Sequence, residues 1–261
     1  MHAIHRGFAH HTAEDGSFAA STSKLPVLQY YPCRGRAEPI RLALSYVGQE
    51  WFEPPPASLK QIVSLMHGEF DGYPFRQLPR FIDDGEVDLV QSQAIMRHLG
   101  RKYDLYGANM IEAGQIDMLM DGVLELRGKL RTLAVEQQFE AAARQRYEES
   151  VLAAEEELKK AGMQGPGLAS FEYPLSRRRY SEAGWLVGGS PSIADFALFD
   201  LVDLHLDHLP DLIRTRFPAL AAHHAKVAEL KGVKEYLASE NRYPLAFAAD
   251  WVRAHWGTEP K

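Results

Sequence analysis

Between Lys24 and Tyr46 the chain reads KLPVLQYYPCRGRAEPIRLALSY, and within it the span Tyr30 to Arg36 gathers two phenols (Tyr30, Tyr31), one thiol (Cys33) and two guanidiniums (Arg34, Arg36). Such groups suit the holding of an anion by charge-assisted hydrogen bonds. Leu25 to Tyr31 is strand-like in composition, with Pro26 tolerated at the first position. Pro32 to Arg36 is a breaker-rich turn, and Ile40, Leu44 and Val47 recur at helical spacing. Strand, turn and helix bring the reactive groups to one point, beside a helix N-terminus whose free N–H groups favour negative charge. A half-buried edge strand with incidental arginines would share this pattern, so the choice rests on the rest of the chain.

The elements that follow are consistent with a small mixed layer. Glu50 to Glu53 reads as a second strand cut off by Pro54-Pro55-Pro56. Leu59 to Met66 has helical spacing, and Leu78 to Ile82 with Val87 to Val90 reads as a hairpin around Asp83-Asp84-Gly85. A third helix starts near Ser92 and runs to Tyr103, so the order is βαβαββα, an α/β domain. From Met110 the pattern becomes helical: Ile111 to Gln137, Ala141 to Ala161, Pro218 to Glu229 and Val233 to Ala238. Ser192 and Asp195 have capping-box spacing ahead of an apolar helix. Gly162 to Gly184 is expected to be an irregular loop, with Arg177-Arg178-Arg179 as a solvated run. Trp251 and Trp256 are expected to fold the tail back over the body.

Composition narrows the classes. The 261 residues carry 46% apolar and 25% charged side chains and a net charge of −6. That is ordinary for a globular protein and argues against a nucleic-acid surface. A single cysteine excludes an internal disulfide framework and a cysteine-rich metal site. No apolar run approaches the roughly 20 residues that span a bilayer. Residues 1–24 carry His2, His5, His10 and His11 without metal-ligand spacing and without an apolar signal core. Glu14 and Asp15 weaken a transit-peptide reading, so the stretch is expected to be a disordered leader.

In their order along the chain, five runs resemble the cytosolic glutathione transferase family, most closely its pi class, with sigma next. They are YYPCRGRAEPIR, GYPFRQLPRF, QSQAIMRHLGRKYDLYG, IDMLMDGVLELRGK and SIADFALFDL. The similarity extends from Leu25 to about Tyr243. It implies a thioredoxin-like, glutathione-binding domain over residues 25–107. An all-α domain over residues 108–261 would form the electrophile site and the dimer contacts.

The resemblance also implies roles. Tyr30 would donate its hydroxyl to the glutathione sulfur and favour the thiolate, which attacks an electrophilic carbon without metal or other cofactor. Gln91 and Ser92 would hold the γ-glutamyl carboxylate at a helix N-terminus. Leu78, held by a cis Pro79, would pair its backbone with the cysteinyl unit, while Gln77 and Arg36 bind further polar groups. Glu125 of the partner subunit would reach the ammonium, and Phe75 would be the aromatic key of a homodimer. Tyr31, Cys33, Arg131 and Val135 are the implied electrophile-site residues, although Tyr31 is expected on the opposite face of the strand end from Tyr30. The protein is expected to be cytoplasmic, with no nucleic-acid or membrane partner.

Departures from the pattern bear on specificity. Pi and sigma enzymes use a tryptophan and a lysine ahead of the Gln-Leu-Pro to hold the glycyl carboxylate. Here no tryptophan lies between Phe52 and Gln77, and Lys60 is the one lysine, with His67 or Arg76 as substitutes. Cys33 lies near where thiol-transferring relatives place a catalytic cysteine, which leaves a Cys33-based thiol transferase as one alternative; the sigma-class resemblance leaves a glutathione-dependent isomerase as another. A non-catalytic ligand binder or scaffold on the same fold is the alternative of a different class.

Overall fold

The computed structural model describes residues 25–68, 73–84, 86–153 and 165–256. The chain divides into two compact units, one containing the residues up to His98 together with those from Lys231 onward, the other Leu99 to Leu230. The tail is therefore grouped with the N-terminal residues, whereas the sequence reading gave everything beyond residue 107 to the helical domain.

In the first unit, β1 (Val27–Gln29), β2 (Arg80–Asp83) and β3 (Val87–Val90) form an antiparallel sheet in the order β1-β2-β3. The expected second strand is reduced to one parallel bridge between Val27 and Phe52. There the Leu28 N–H donates to the Phe52 carbonyl at 2.9 Å and the Phe52 N–H to the Pro26 carbonyl at 2.8 Å. Pro54-Pro55-Pro56 removes the N–H donors that would extend the ladder. Helices α1 (Glu38–Val47), α2 (Leu59–Gly68) and α3 (Ser92–Lys102, grouped with the second unit from Leu99) complete the expected order. The hairpin and the start of α3 at Ser92 lie where the alternation and helical spacing put them.

The second unit is built on α4 (Met110–Arg131), α5 (Ala141–Ser150), α6 (Ala169–Ser176), α7 (Ile193–His208), α8 (Pro210–Arg216) and α9 (Pro218–Ala228). Helix α7 is apolar on almost every side, as a helix buried against neighbours must be, and it packs on α4, α8 and α9. Its capping box is formed: Asp195 accepts the Ser192 N–H at 2.8 Å. The same carboxylate accepts from the Leu186 N–H at 2.9 Å and faces His223 Nε2 at 2.8 Å. One fully buried acid thus ties the helix start to a loop and to α9.

Two expectations change here. The Gly162–Gly184 stretch contains a regular helix, α6, with Pro174 inside it. Phe171 and Pro174 are buried, and the Glu172 carboxylate accepts the Ala219 and Leu220 N–H groups at 2.9 and 2.8 Å. Tertiary contacts therefore hold a helix that its own sequence does not announce. The predicted Ala141–Ala161 helix ends at Ser150, with Val151 as its C-cap, and residues 154–161 of that prediction lie outside the described residues. Helix α4 runs into a π-helical turn at Thr132–Glu136.

The tail forms α10 (Lys231–Leu237) and α11 (Ala248–Trp256) in the first unit. Helix α10 crosses α1 so closely that a Cβ on Gly232 would run into the Ser45 carbonyl. Among the described residues no helix is long and apolar enough to cross a membrane.

Candidate glutathione site

The strand register assembles this end of the sheet. Gln29 pairs with Arg80, and Arg80 with Val90. The residues just beyond those pairs, Tyr30, Pro79 and Gln91, therefore emerge side by side at one end of three strands. Leu78–Pro79 is a cis peptide, as expected for that position. Gln77 and Gln91 meet directly, the Gln91 amide donating to Gln77 Oε1 at 3.0 Å. Gln91 has a φ of 74°, a left-handed conformation that a non-glycine residue adopts at a cost of about 1–3 kcal/mol. Ser92 follows it as the first residue of α3, 8% exposed, at a helix start with no acidic residue in its first turn.

Around Tyr30 the turn is folded beneath the ring. Gly35 has a φ of 44°, and a Cβ there would strike the Tyr30 ring and hydroxyl. The Arg36 N–H donates to the Tyr30 hydroxyl oxygen at 2.9 Å. The Arg36 side chain is exposed, and Arg34 is buried.

Arg41, which the sequence reading did not single out, holds this turn in place. Fully buried, its guanidinium donates to the Cys33 carbonyl at 2.9 Å, to the Arg34 carbonyl at 3.2 Å, and as a fork to Glu53 at 2.8 and 3.0 Å. Burial alone would lower its pKa; Glu53, Tyr236 and Glu38 outweigh that and keep it well above the ordinary guanidinium value. The available signal was a charge in the apolar run Ile40 to Leu44, which only a paired carboxylate makes tolerable.

Other expected site residues are placed as follows. Tyr31 meets Tyr30 edge to face at 5.7 Å rather than lying opposite it, because β1 ends at Gln29 and the strand alternation ends with it. Cys33 is fully buried, so reaction at its sulfur would require the turn to open. Lys60 and His67 are exposed on α2, and Arg76 is exposed beside Phe75, which is 61% exposed. In the second unit, Glu125 lies on the exposed side of α4, 3.1 Å from Lys129. Arg131 pairs with Glu136 at 2.6 Å, and Val135 is buried within the π-helical turn. Among the described residues no group of His, Cys, Asp and Glu is arranged to hold a metal ion.

A thioredoxin-like sheet end carrying a tyrosine, a cis-proline and a polar helix start, in a chain with a second all-helical unit, defines a class, and the comparisons agree with it. Residues 139–240 match the family model described as glutathione S-transferase, C-terminal domain. Glutathione S-transferase P of Bos taurus is 36% identical over 215 residues, covering 80% of this chain and 90% of that protein. Glutathione S-transferase P 1 of Xenopus laevis is 36% identical over 227 residues, covering 83% and 93%. A solved structure, the pi-class glutathione S-transferase of Onchocerca volvulus, superposes with a TM-score of 0.65 at 32% identity, covering 81% of this chain and 91% of that one. The chain belongs to the glutathione S-transferase family, and within it to the pi class.

Proposed function

We propose that this glutathione transferase ionises the bound tripeptide's thiol with Tyr30 and presents the thiolate to hydrophobic electrophiles. One observation carries the reading: the Arg36 N–H, donating at 2.9 Å, fixes the Tyr30 hydroxyl at the sheet end that also carries cis-Pro79 and Gln91, where a phenol can donate to a bound sulfur. A free thiol of pKa ~8.5 is only a few per cent ionised at neutral pH, and lowering it by ~2 units takes ~2.7 kcal/mol. A hydrogen bond to a charged acceptor, aided by the N-terminal dipole of α1, is of that size. The thiol proton leaves to solvent and the sulfur pair forms the C–S bond. With a chlorinated nitrobenzene, chloride departs with the C–Cl electron pair.

The rest of the tripeptide follows the sheet end. The γ-glutamyl carboxylate takes Gln91, Ser92 and the free N–H groups of α3. The cysteinyl unit pairs with the Leu78 backbone in the manner of an added strand beside Pro79. Gln77 and Arg36 bind further polar atoms, and Lys60 is the proposed contact for the glycyl carboxylate. A homodimer completes the site through Glu125 of the partner subunit, with Phe75 as the key; the 61% exposure of that ring supports this. The single buried thiol suits a reducing, cytoplasmic setting. No cofactor besides the co-substrate glutathione is proposed.

The test is retention on immobilised glutathione together with conjugation of a chlorinated nitrobenzene. Retention with turnover is expected; a protein that passes through unretained would refute the reading.

A further inference from the structure

The run Arg177-Arg178-Arg179, which the glutathione site does not use, is held in a fixed shape within the helical unit. Arg177 caps the end of α6, its N–H donating to the Tyr173 carbonyl at 3.0 Å. Arg178 then turns left-handed, with a φ of 50°, at a cost of about 1–2 kcal/mol. The Arg179 N–H returns to the Pro174 carbonyl at 2.9 Å, and the Gly188 N–H donates to the Tyr180 carbonyl at 2.9 Å. The Ser181 hydroxyl closes the loop by donating to the Gly188 carbonyl. Between this loop and the first turn of α4 lies a cleft of about 400 Å³, lined wholly by residues of the helical unit. Arg178, Arg179 and Tyr180 come to it from the loop, and Ile111 and Gln115 from α4. Both arginine side chains are exposed, and Arg179 Nε is oriented by donating to the Tyr180 hydroxyl at 2.9 Å. Ile111 and its neighbour Met110 are 75% and 91% exposed, and Tyr173, 6.0 Å from the Arg177 guanidinium, is exposed as well.

From this placement we propose that the cleft docks a short acidic segment of another protein, one in which Asp or Glu flank a large apolar residue. The carboxylates take the guanidinium forks of Arg178 and Arg179, and the apolar side chain enters between Ile111 and Tyr180. Gln115 supplies an amide for the segment's backbone. Charge selects the partner. Of the two carboxylates in the cleft, Glu112 is committed to the Ala108 N–H at 2.7 Å, and Glu182 stands 3.9 Å from Arg178. With Arg177 alongside, the cationic groups outweigh the acid that remains. Arginine, tyrosine and methionine are enriched where proteins meet, and a loop already pinned by its own hydrogen bonds loses little freedom on binding. A cleft of this size admits a side chain rather than a bilayer or a duplex. Along α4 at 1.5 Å per residue, Ile111 lies about 21 Å from Glu125, so docking there does not compete with the role proposed for Glu125 in a dimer.

The experiment is a selection from a random heptapeptide phage library on the immobilised full-length chain, with S-hexylglutathione present to fill the glutathione site. Enriched peptides are then titrated by fluorescence anisotropy against wild type, the double variant Arg178→Ala/Arg179→Ala, and Ile111→Ser. Enriched sequences are expected to combine Asp or Glu with Leu, Ile or Phe. Their affinity should fall by about tenfold or more in the double variant, the loss of at least one charged hydrogen bond. In Ile111→Ser it should fall by about threefold or more, and it should weaken in wild type as NaCl rises from about 0.05 to about 0.5 M. Tm and the conjugation rate should match wild type in both variants. No enrichment over the double variant, or enrichment of neutral or basic sequences, would overturn the proposal. Peptides that bind the double variant as tightly as wild type would overturn it too. Peptide loss accompanied by a lowered Tm and an equal loss of conjugation would also overturn it, by making the arginines structural. Phosphatidylserine vesicles and a DNA duplex are run beside the peptides. Capture of either one, abolished in the double variant and without acidic-peptide enrichment, would replace the protein partner by that surface.

Discussion

At the residue scale the catalytic claim concerns one proton, that of the Tyr30 hydroxyl. Replacing Tyr30 by Phe removes the donor and leaves the ring. Turnover with a chlorinated nitrobenzene should then fall by about fiftyfold near pH 6.5, because a thiol returned to pKa ~8.5 is about 1% ionised there. The sign of the pH dependence follows: as pH rises past ~8.5 both proteins hold thiolate and the deficit should close. A deficit that is constant across that range would point to a lost binding contact instead. Gly35→Ala is expected to be worse than Tyr30→Phe at every pH, since its Cβ displaces the whole ring; initial rates and circular dichroism of the two variants check it. That Tyr30, cis-Pro79 and Gln91 come to one sheet end was legible because strand, breaker and hairpin signals are local. Arg41 was not, because a buried guanidinium is read only once its carboxylates, Glu38 and Glu53, are seen around it.

At the scale of elements, the packing of α10 on α1 and the core of the helical unit each make a prediction. Gly232→Val pushes α10 off the Ser45 carbonyl and should destabilise the chain by about 1–3 kcal/mol in urea unfolding. Between α5 and α7, His205 Nδ1 donates to the Leu201 carbonyl at 2.7 Å, which leaves Nε2 to accept the Tyr147 hydroxyl at 2.8 Å. Burial, more than the nearby His208, pushes the His205 pKa down to about 4 against an ordinary 6.5. Between those values the unfolded chain binds the proton and the folded chain does not. The stability contribution is therefore full above pH 6.5 and is lost as pH falls toward 4, by about 2 kcal/mol at pH 5. Urea midpoints at pH 7 and 5 should show a smaller drop in Tyr147→Phe/His205→Leu than in wild type. An equal drop would remove His205 as the cause. The hairpin, α3 and the Ser192 cap were legible because alternation and capping chemistry are local. The second strand was over-read because Phe52 has strand composition but stands before three prolines, and α6 was missed because its support comes from α9, far along the chain.

At the scale of the whole molecule, catalysis is proposed to require two copies. Phe75→Ser removes an aromatic ring that is 61% exposed in the single chain and should shift the protein to monomer by analytical ultracentrifugation, with activity falling alongside. A stable dimer in that variant would leave Phe75 without its role as the key. The tail is the part of the architecture that the sequence hid most. Trp251 was expected to fold back, but nothing local to it names Tyr31 and Leu78 as the surface it covers. All of this converges on the thiol. Titrating bound glutathione by its thiolate ultraviolet absorbance, in wild type and in Tyr30→Phe, tests the account most directly. The account predicts a bound thiol about 2 units more acidic than the free ~8.5 in wild type and near the free value in the variant. The same pKa in both proteins would contradict it.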